Sequence, residues 1–167
     1  MTSALLDLHP AIPQKPLRAA TKRPSLLFYC QHSLGIGHLM RSFALAAALT
    51  EYFHVVFVNG GHLPPALAVP AGIELIDLPA LGMDDGHTVV SRDELLDVKQ
   101  AQSQRRKLIE AAVRLHQPAV LLVELFPFGR KKFAGEILPL IRLARRQSSD
   151  PALVACSLRD ILVDVRP

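Results

Sequence analysis

The chain is poor in aromatic residues: it has no tryptophan, and Phe and Tyr together make up 5% of its 167 residues. Proteins that bind single-stranded nucleic acid stack its bases on aromatic side chains, so this class is disfavoured. The net charge is only +4, and the basic clusters at 105–107, 130–132 and 145–146 lie far apart. We interpret most of them as solvated helix faces and expect no nucleic-acid partner.

Cysteines and metal-binding patterns are also scarce. Cys30 and Cys156 sit at the ends of apolar, strand-like runs, and their spacing suggests neither a disulfide nor a metal pair, so we expect buried, reduced thiols. No pair of histidines has the spacing typical of metal ligands, and we expect no metal and no other cofactor. The histidines predicted to lie on the surface or in loops, without partners, are His54, His62, His87 and His116.

Long apolar segments are missing as well. No run reaches the roughly 18 residues that a membrane span requires. The N-terminus does not read as a signal peptide, because Asp7 and the prolines at 10, 13 and 16 interrupt it. The sequence therefore predicts a cytoplasmic protein without a transmembrane segment.

The chain does have an alternation of strand-like and helix-like segments that follows a proline-rich start. We expect residues 1–23 to be a mobile extension and residues 24–167 to form one domain. The capping pattern of Ser91 and Glu94 predicts the start of the second helix, and Pro139 predicts a kink or restart in the third. Strands are predicted at 26–30, 54–59, 73–78, 119–125 and 153–158, helices at 37–52, 93–115 and 130–146, and a long loop at 79–90.

The strand-like runs at 55–58 and 119–123 are continuously apolar rather than alternating. Such strands are covered on both faces, which is typical of a parallel sheet with helices on each side. The sequence thus predicts an α/β fold, a doubly wound, Rossmann-like parallel sheet with strand order 3-2-1-4-5. In such a sheet, ligands bind at the carboxyl ends of the first and fourth strands.

The most informative segment is 25–50, where an apolar strand turns through Gly35 and Gly37 into an alanine-rich helix. Unpaired amides at a helix N-terminus, together with the positive end of its dipole, favour a phosphate there. The dinucleotide fingerprint would require a glycine at Met40 and an acidic residue near Asn59. Both are missing, so a nicotinamide enzyme is disfavoured.

Four ionisable residues accompany these glycines at the predicted ligand edge. His38 starts the helix, where the dipole disfavours its protonation, and we predict that it is the catalytic base. Arg41, one turn later, binds an anion or pairs with a carboxylate. Glu124 ends an apolar strand and either anchors loop amides or serves as a site carboxylate. Arg130 begins another helix and either meets an anion or is solvated. The predicted substrate- and phosphate-binding residues are Gly35, Gly37, Arg41, Glu124 and Arg130.

The motif GIGHLMRS at 35–42 resembles the N-terminal domain of glycosyltransferases with two Rossmann domains, the GT-B type. It is most similar to bacterial predicted glycosyltransferases related to the lipid II N-acetylglucosaminyltransferase. The stretches VELFPFGR at 123–130 and SLRDI at 157–161 are also similar to that group. The same G-x-G-H-x-x-R pattern resembles UDP-sugar hydrolases of this fold.

The resemblance implies that His38 faces the sugar or acceptor, and that Gly35 and Gly37 approach the diphosphate. It implies an acceptor-side domain whose substrates are a nucleotide-diphosphate sugar and an acceptor hydroxyl. The second, donor-binding domain of the family is not part of these 167 residues, so we expect a C-terminal domain chain as a partner. Alternatives are a nucleotide-sugar hydrolase and a truncated, non-catalytic binding module.

Overall fold

The computed structural model describes residues 23–33, 36–85, 87–146 and 150–158. The predicted N-terminal extension falls outside this part of the chain apart from Arg23. The strands are β1 Ser25–Cys30, β2 His54–Asn59, β3 Ile73–Asp77, β4 Leu81–Met83, β5 Val89–Ser91, β6 Val120–Glu124 and β7 Leu153–Ser157. The helices are α1 Gly37–Leu49, α2 Val98–His116 and α3 Ala134–Arg146, and a 3-10 helix at Lys131–Phe133 precedes α3.

Five of the strands form one parallel sheet in the order β3-β2-β1-β6-β7. This confirms the predicted α/β fold and the 3-2-1-4-5 order, and each of these strands begins and ends within one residue of its predicted bounds. The register aligns Cys30 with Asn59 and Asp77, and aligns Glu124 with Ser157. These strand ends form what we call the carboxyl edge of the sheet.

Helices cover both faces of the sheet, which explains the continuously apolar strands. On one face, Phe28 and Phe57 pack with Phe43 of α1. The ring centroid of Phe57 lies 5.2 Å from that of Phe28 and 4.7 Å from that of Phe43. On the other face, side chains such as Leu27 and Leu121 pack against α2 and α3. None of the helices in the described ranges is long and apolar enough to cross a membrane.

The predicted loop at 79–90 contains a β-hairpin instead. Strands β4 and β5 pair antiparallel. Asp84 closes the turn: its backbone N–H donates to the Thr88 carbonyl, and its carboxylate accepts from the Thr88 N–H. Leu81 is buried in the core. The sequence signal was an Asp85-Gly86 dipeptide between apolar residues, which is typical of hairpin turns.

Helix α2 begins five residues later than predicted. Ser91 belongs to β5, so the expected capping box with Glu94 is wrong. Asp97 caps the helix instead: its side chain accepts from the Gln100 amide, and the Gln100 side chain accepts from the Asp97 amide. Leu95, which lay inside the predicted helix, precedes α2 and is 90% exposed.

The third helix also differs from its prediction. Arg130 is not helical, and α3 runs continuously through Pro139, so a restart at the proline is wrong. Proline removes one backbone N–H and leaves the carbonyl of Gly135 without its usual intrahelical partner. Both residues are exposed, so water can satisfy that carbonyl.

One basic residue of the 105–107 cluster is not solvated at all. Arg105 has 0% exposure and is the largest fully buried side chain among the described residues. Its guanidinium donates two bonds to the Glu136 carboxylate, at 2.9 and 2.7 Å, and one to the Gln31 side chain at 2.7 Å. It also donates to the backbone carbonyls of Gly60 and Pro79. The interpretation of this residue as part of a solvated face is therefore wrong.

Charge and burial oppose each other at Arg105. Burial alone would lower its pKa, but the hydrogen bonds and charge of Glu136, with Tyr29 alongside, raise the pKa above its ordinary value. Burial also raises the pKa of Tyr29 well above its usual range, and the neighbouring carboxylate adds to this. The phenol therefore stays neutral and donates to Glu136 at 2.5 Å.

We predict that Arg105→Met lowers the free energy of unfolding by about 3–5 kcal/mol, because it leaves the mostly buried Glu136 carboxylate without its cationic partner and the Pro79 carbonyl and Gln31 side-chain oxygen without their donor. Urea denaturation measures this change. Arg106→Ala is the matched control: it removes the exposed neighbouring arginine and should change stability by no more than about 0.5 kcal/mol. Equal effects of the two substitutions would contradict the structural role of Arg105.

Candidate functional site

The N-terminus of α1 opens onto the carboxyl edge without a capping side chain. Ile36 is the N-cap residue, makes no side-chain cap hydrogen bond and is 49% exposed. Outside its own helix and chain neighbours, a Cβ added to Gly37 would meet no atom of the described residues within 4 Å. Gly35 lies outside the described residues. The first-turn amides of α1 are thus available to an anion.

His38 and Glu124 meet at the centre of this edge. His38 Nδ1 lies 2.5 Å from Glu124 Oε1, and their side chains are 19% and 1% exposed. An ionised carboxylate can only accept, so Nδ1 carries the proton and donates it. The neutral imidazole then presents its lone pair at Nε2, which makes no hydrogen bond within the described ranges. The contact joins α1 to β6, as the predicted strand order requires.

Arg130 holds the other oxygen of the same carboxylate. Its Nε donates to Glu124 Oε2 at 3.1 Å, and its side chain is 16% exposed. The turn between β6 and the 3-10 helix permits this: Leu125 and Arg130 both have a positive φ, and the Phe126-Pro127 peptide is cis. Arg130 Nη2 is buried and has no hydrogen-bond partner among the described residues.

These contacts decide between structural arrangements that the sequence left open. Glu124 binds two side chains rather than loop amides. Arg130 is neither solvated nor on a helix, and it pairs with the strand-end carboxylate. The catalytic and binding roles of His38, Glu124 and Arg130 stay predictions.

Arg41 is directed toward β7. Its Nη1 donates to Ser157 Oγ at 2.9 Å, and its Nη2 donates to the Leu158 carbonyl. This arginine therefore ties α1 to the end of β7, and it pairs with no carboxylate among the described residues. Its predicted contact with a ligand anion stays a prediction, and Arg159 and Asp160 of the same strand end lie outside the described residues.

The charge of the Glu124 carboxylate affects both cysteines. Burial raises the pKa of Cys30 to about 12, the neighbouring Ser42 side chain lowers it, and the Glu124 carboxylate raises it further. Burial and Glu124 likewise raise the pKa of Cys156. Cys30 is buried as predicted, whereas Cys156 is partly exposed, and both are free thiols. Neither is a nucleophile near neutral pH.

The ends of β2 and β3 supply the neighbouring wall of the edge. Asn59 donates to the Gly61 carbonyl and to Asp77 Oδ1, both at 2.8 Å, and its Oδ1 lies 3.2 Å from His32 Nε2. A Cβ on Gly61 would come within 2.3 Å of the His32 carbonyl oxygen. The glycines after Asn59 thus reflect close packing, which composition alone did not reveal.

An open cleft of about 420 Å³ lies beside this wall and borders the start of α1. It is lined by residues that include Ile36, His32, His62 and Arg92. A second cleft of about 630 Å³ shares His62 and Arg92 with it and extends along the end of β3. The carboxyl edge therefore has a broad, mixed polar and apolar surface next to His38.

The expectation that the other histidines lack partners is wrong in two cases. His54 Nε2 lies 3.1 Å from Glu74 Oε2, and His116 Nε2 lies 3.4 Å from Glu74 Oε1. His62 and His87 are exposed, as predicted. Sequence spacing could not reveal these two contacts with Glu74, because they join residues from β2, β3 and α2 that lie far apart in the chain.

No protein-family model matches the chain, and no curated protein matches it. Among solved structures, UGT2 of Phytolacca americana, complexed with UDP-2fluoro-glucose and pterostilbene, matches 71% of this chain with 17% identity and a TM-score of 0.42. A UDP-glucosyltransferase from Polygonum tinctorium, described as capable of glucosylating indoxyl and solved in complex with 3,4-dichloroaniline, matches 71% with 26% identity and a TM-score of 0.44. The chain spans 29% and 28% of these two proteins. Similarity at this level says nothing about what this chain binds.

We predict that Glu124→Gln destabilises the protein by about 1–3 kcal/mol, because an amide cannot satisfy both His38 Nδ1–H and the buried Arg130 guanidinium. Urea denaturation gives the change. Glu51→Gln is the matched control, because Glu51 is exposed at the end of α1 and its neutralisation should have little effect. A stability unchanged by Glu124→Gln would show that the carboxylate is not needed to hold its two partners.

Proposed function

We propose that this chain is the acceptor-side domain of a glycosyltransferase that uses a nucleotide-diphosphate sugar. The observation that carries the proposal is the His38–Glu124 pair beside the uncapped start of α1. One site thereby combines a base oriented by a carboxylate with amides directed toward an anion. The motif at 35–42, which resembles GT-B glycosyltransferases, gives independent support.

In the proposed reaction, His38 Nε2 removes the proton of the acceptor hydroxyl. The acceptor oxygen bonds to the anomeric carbon, and the bond from that carbon to the diphosphate breaks. Glu124 stabilises the imidazolium that forms, as the carboxylate of a catalytic triad does. Arg130 offsets part of the Glu124 charge while the carboxylate orients His38.

Negative charge develops on the departing diphosphate. The amides at the start of α1 would donate to it, and the missing side chain at Gly37 would permit a close approach. The cleft that borders Ile36, two residues before His38, would hold the acceptor. A donor-binding domain would complete the site from the opposite side, as the GT-B resemblance implies, and the relation to the lipid II enzyme belongs to the same proposal.

The isolated chain should bind nucleotide-sugars weakly, because its described edge offers one open wall and no enclosed nucleotide pocket. Calorimetry with UDP-, GDP- and dTDP-sugars measures this affinity. We expect dissociation constants well above the micromolar range. A micromolar dissociation constant corresponds to a binding free energy of about −8 kcal/mol. Micromolar or tighter binding by this chain alone would contradict its assignment as the acceptor-side domain.

His38→Ala should lower turnover about 10²–10⁴-fold in protein where this chain is joined to a donor-binding domain, while nucleotide-sugar affinity changes little. His38→Gln, which keeps a polar group without the base, separates proton transfer from orientation. The measurement is the rate of sugar transfer to an acceptor across a pH series. Unchanged turnover, or melting as severe as that of a core truncation, would refute the catalytic role.

Gly37→Ala is the contrasting variant for the same assay. The added Cβ meets no protein atom, so stability should not fall, but the methyl group would crowd a bound diphosphate and weaken donor binding. Release of free sugar without an acceptor would instead favour the hydrolase alternative. Absence of both reactions in the joined protein would favour a non-catalytic binding module.

A further inference from the structure

Two histidines and a glutamate converge at the edge of the sheet opposite to the carboxyl edge. His54 is the first residue of β2, Glu74 is the second residue of β3, and His116 is the last residue of α2. Each offers one ligand atom, and these three atoms lie within 4.8 Å of one another. The cluster plays no part in the proposed glycosyl transfer.

The distances fit a single small cation. The Glu74 carboxylate lies between the imidazoles, 3.1 Å from His54 Nε2 and 3.4 Å from His116 Nε2. Ligand atoms bonded at about 2.0–2.1 Å to a tetrahedral Zn²⁺ are separated by about 3.3 Å. Two imidazoles and a carboxylate form a donor set that zinc commonly uses, and the rings are already close, with centroids 5.7 Å apart.

A second observation points to a ligand at this position. The His116 side chain is 9% exposed, and its Nε2 is buried without a hydrogen-bond partner, although it lies toward Glu74. A buried polar nitrogen that makes no hydrogen bond is unfavourable. A cation bound between the three groups would satisfy this nitrogen, whereas the ion pair with Glu74 leaves it without a hydrogen bond.

We propose that His54, Glu74 and His116 form a binding site for a divalent cation of the zinc class. His54 and Glu74 are nearly half exposed, at 46% and 44%, so the cation enters from solvent and keeps a water as its fourth ligand. Such a cation links the starts of β2 and β3 to the end of α2. It stabilises the domain at a distance from the carboxyl edge.

The test uses the 167-residue chain without a polyhistidine tag, freed of metal by chelation. Zn²⁺ is titrated by calorimetry, and thermal melting is followed with and without Zn²⁺. We expect one Zn²⁺ per chain and a higher melting temperature. His54→Ala, His116→Ala and Glu74→Gln should each weaken binding on the order of 10-fold or more, since loss of a direct ligand costs at least as much as loss of an outer contact.

His87→Asn is the matched control: it removes an exposed histidine away from the cluster, and asparagine tolerates the positive φ found there. It should bind Zn²⁺ as the unaltered chain does. Co²⁺ provides a readout that needs no variant. Bound at this site, it should give the visible absorption of a tetrahedral complex and broaden amide signals around Val55, Glu74 and Gln117.

Absence of Zn²⁺ binding would overturn the proposal. So would binding that the three cluster variants retain, or Co²⁺ broadening confined to other parts of the chain. These outcomes are independent of glycosyl transfer, since none of the three residues contacts the His38 site.

Discussion

The buried guanidinium of Arg105 is the constraint on which the arrangement of the carboxyl edge depends. It reaches from the middle of α2 to Gln31 after β1, to the Gly60 carbonyl after β2 and to Pro79 after β3, and it pairs with Glu136 of α3. A buried charge is tolerated only when it is paired and its donors are satisfied. Because its partners come from four segments, the guanidinium fixes their positions relative to one another. The close approach also explains Gly60, where a Cβ would lie 2.3 Å from Gln31 Oε1 and 2.8 Å from Arg105 Nη2.

This frame carries the candidate site on rigid elements. His38 belongs to a helix whose Leu39 and Phe43 are buried against the sheet, and Glu124 ends a central strand. Neither side chain depends on a loop for its position, and precise proton transfer needs such support. Arg130 is the exception, because the turn with two positive φ values and a cis proline delivers it. The carboxylate therefore meets one partner from the regular fold and one from a specialised turn.

The sheet could be predicted from the sequence because central parallel strands buried on both faces leave a strong signal, the continuously apolar runs at 55–58 and 119–123. The placement of His38 and Glu124 at the same edge followed from the strand order without any side-chain information. Arg105 could not be recognised, since an arginine next to Arg106 and Lys107 looks like a solvated helix face. Its burial depends on partners 26 to 76 residues away. The His54–Glu74–His116 cluster was missed for the same reason, because spacing along the chain says nothing about residues joined by strand order.

The start of α1 and the Glu124 carboxylate act on His38 in opposite directions. The helix dipole disfavours a cation at this position, whereas the carboxylate at Nδ1 favours one. A base must be neutral before the reaction and stabilised as a cation after it, so both influences are needed. In the proposed reaction, an anionic leaving group would form near the helix amides, and its charge would offset the dipole and favour the imidazolium at the moment the proton has been transferred. Proton transfer and leaving-group departure would thus assist each other through the same short segment of α1.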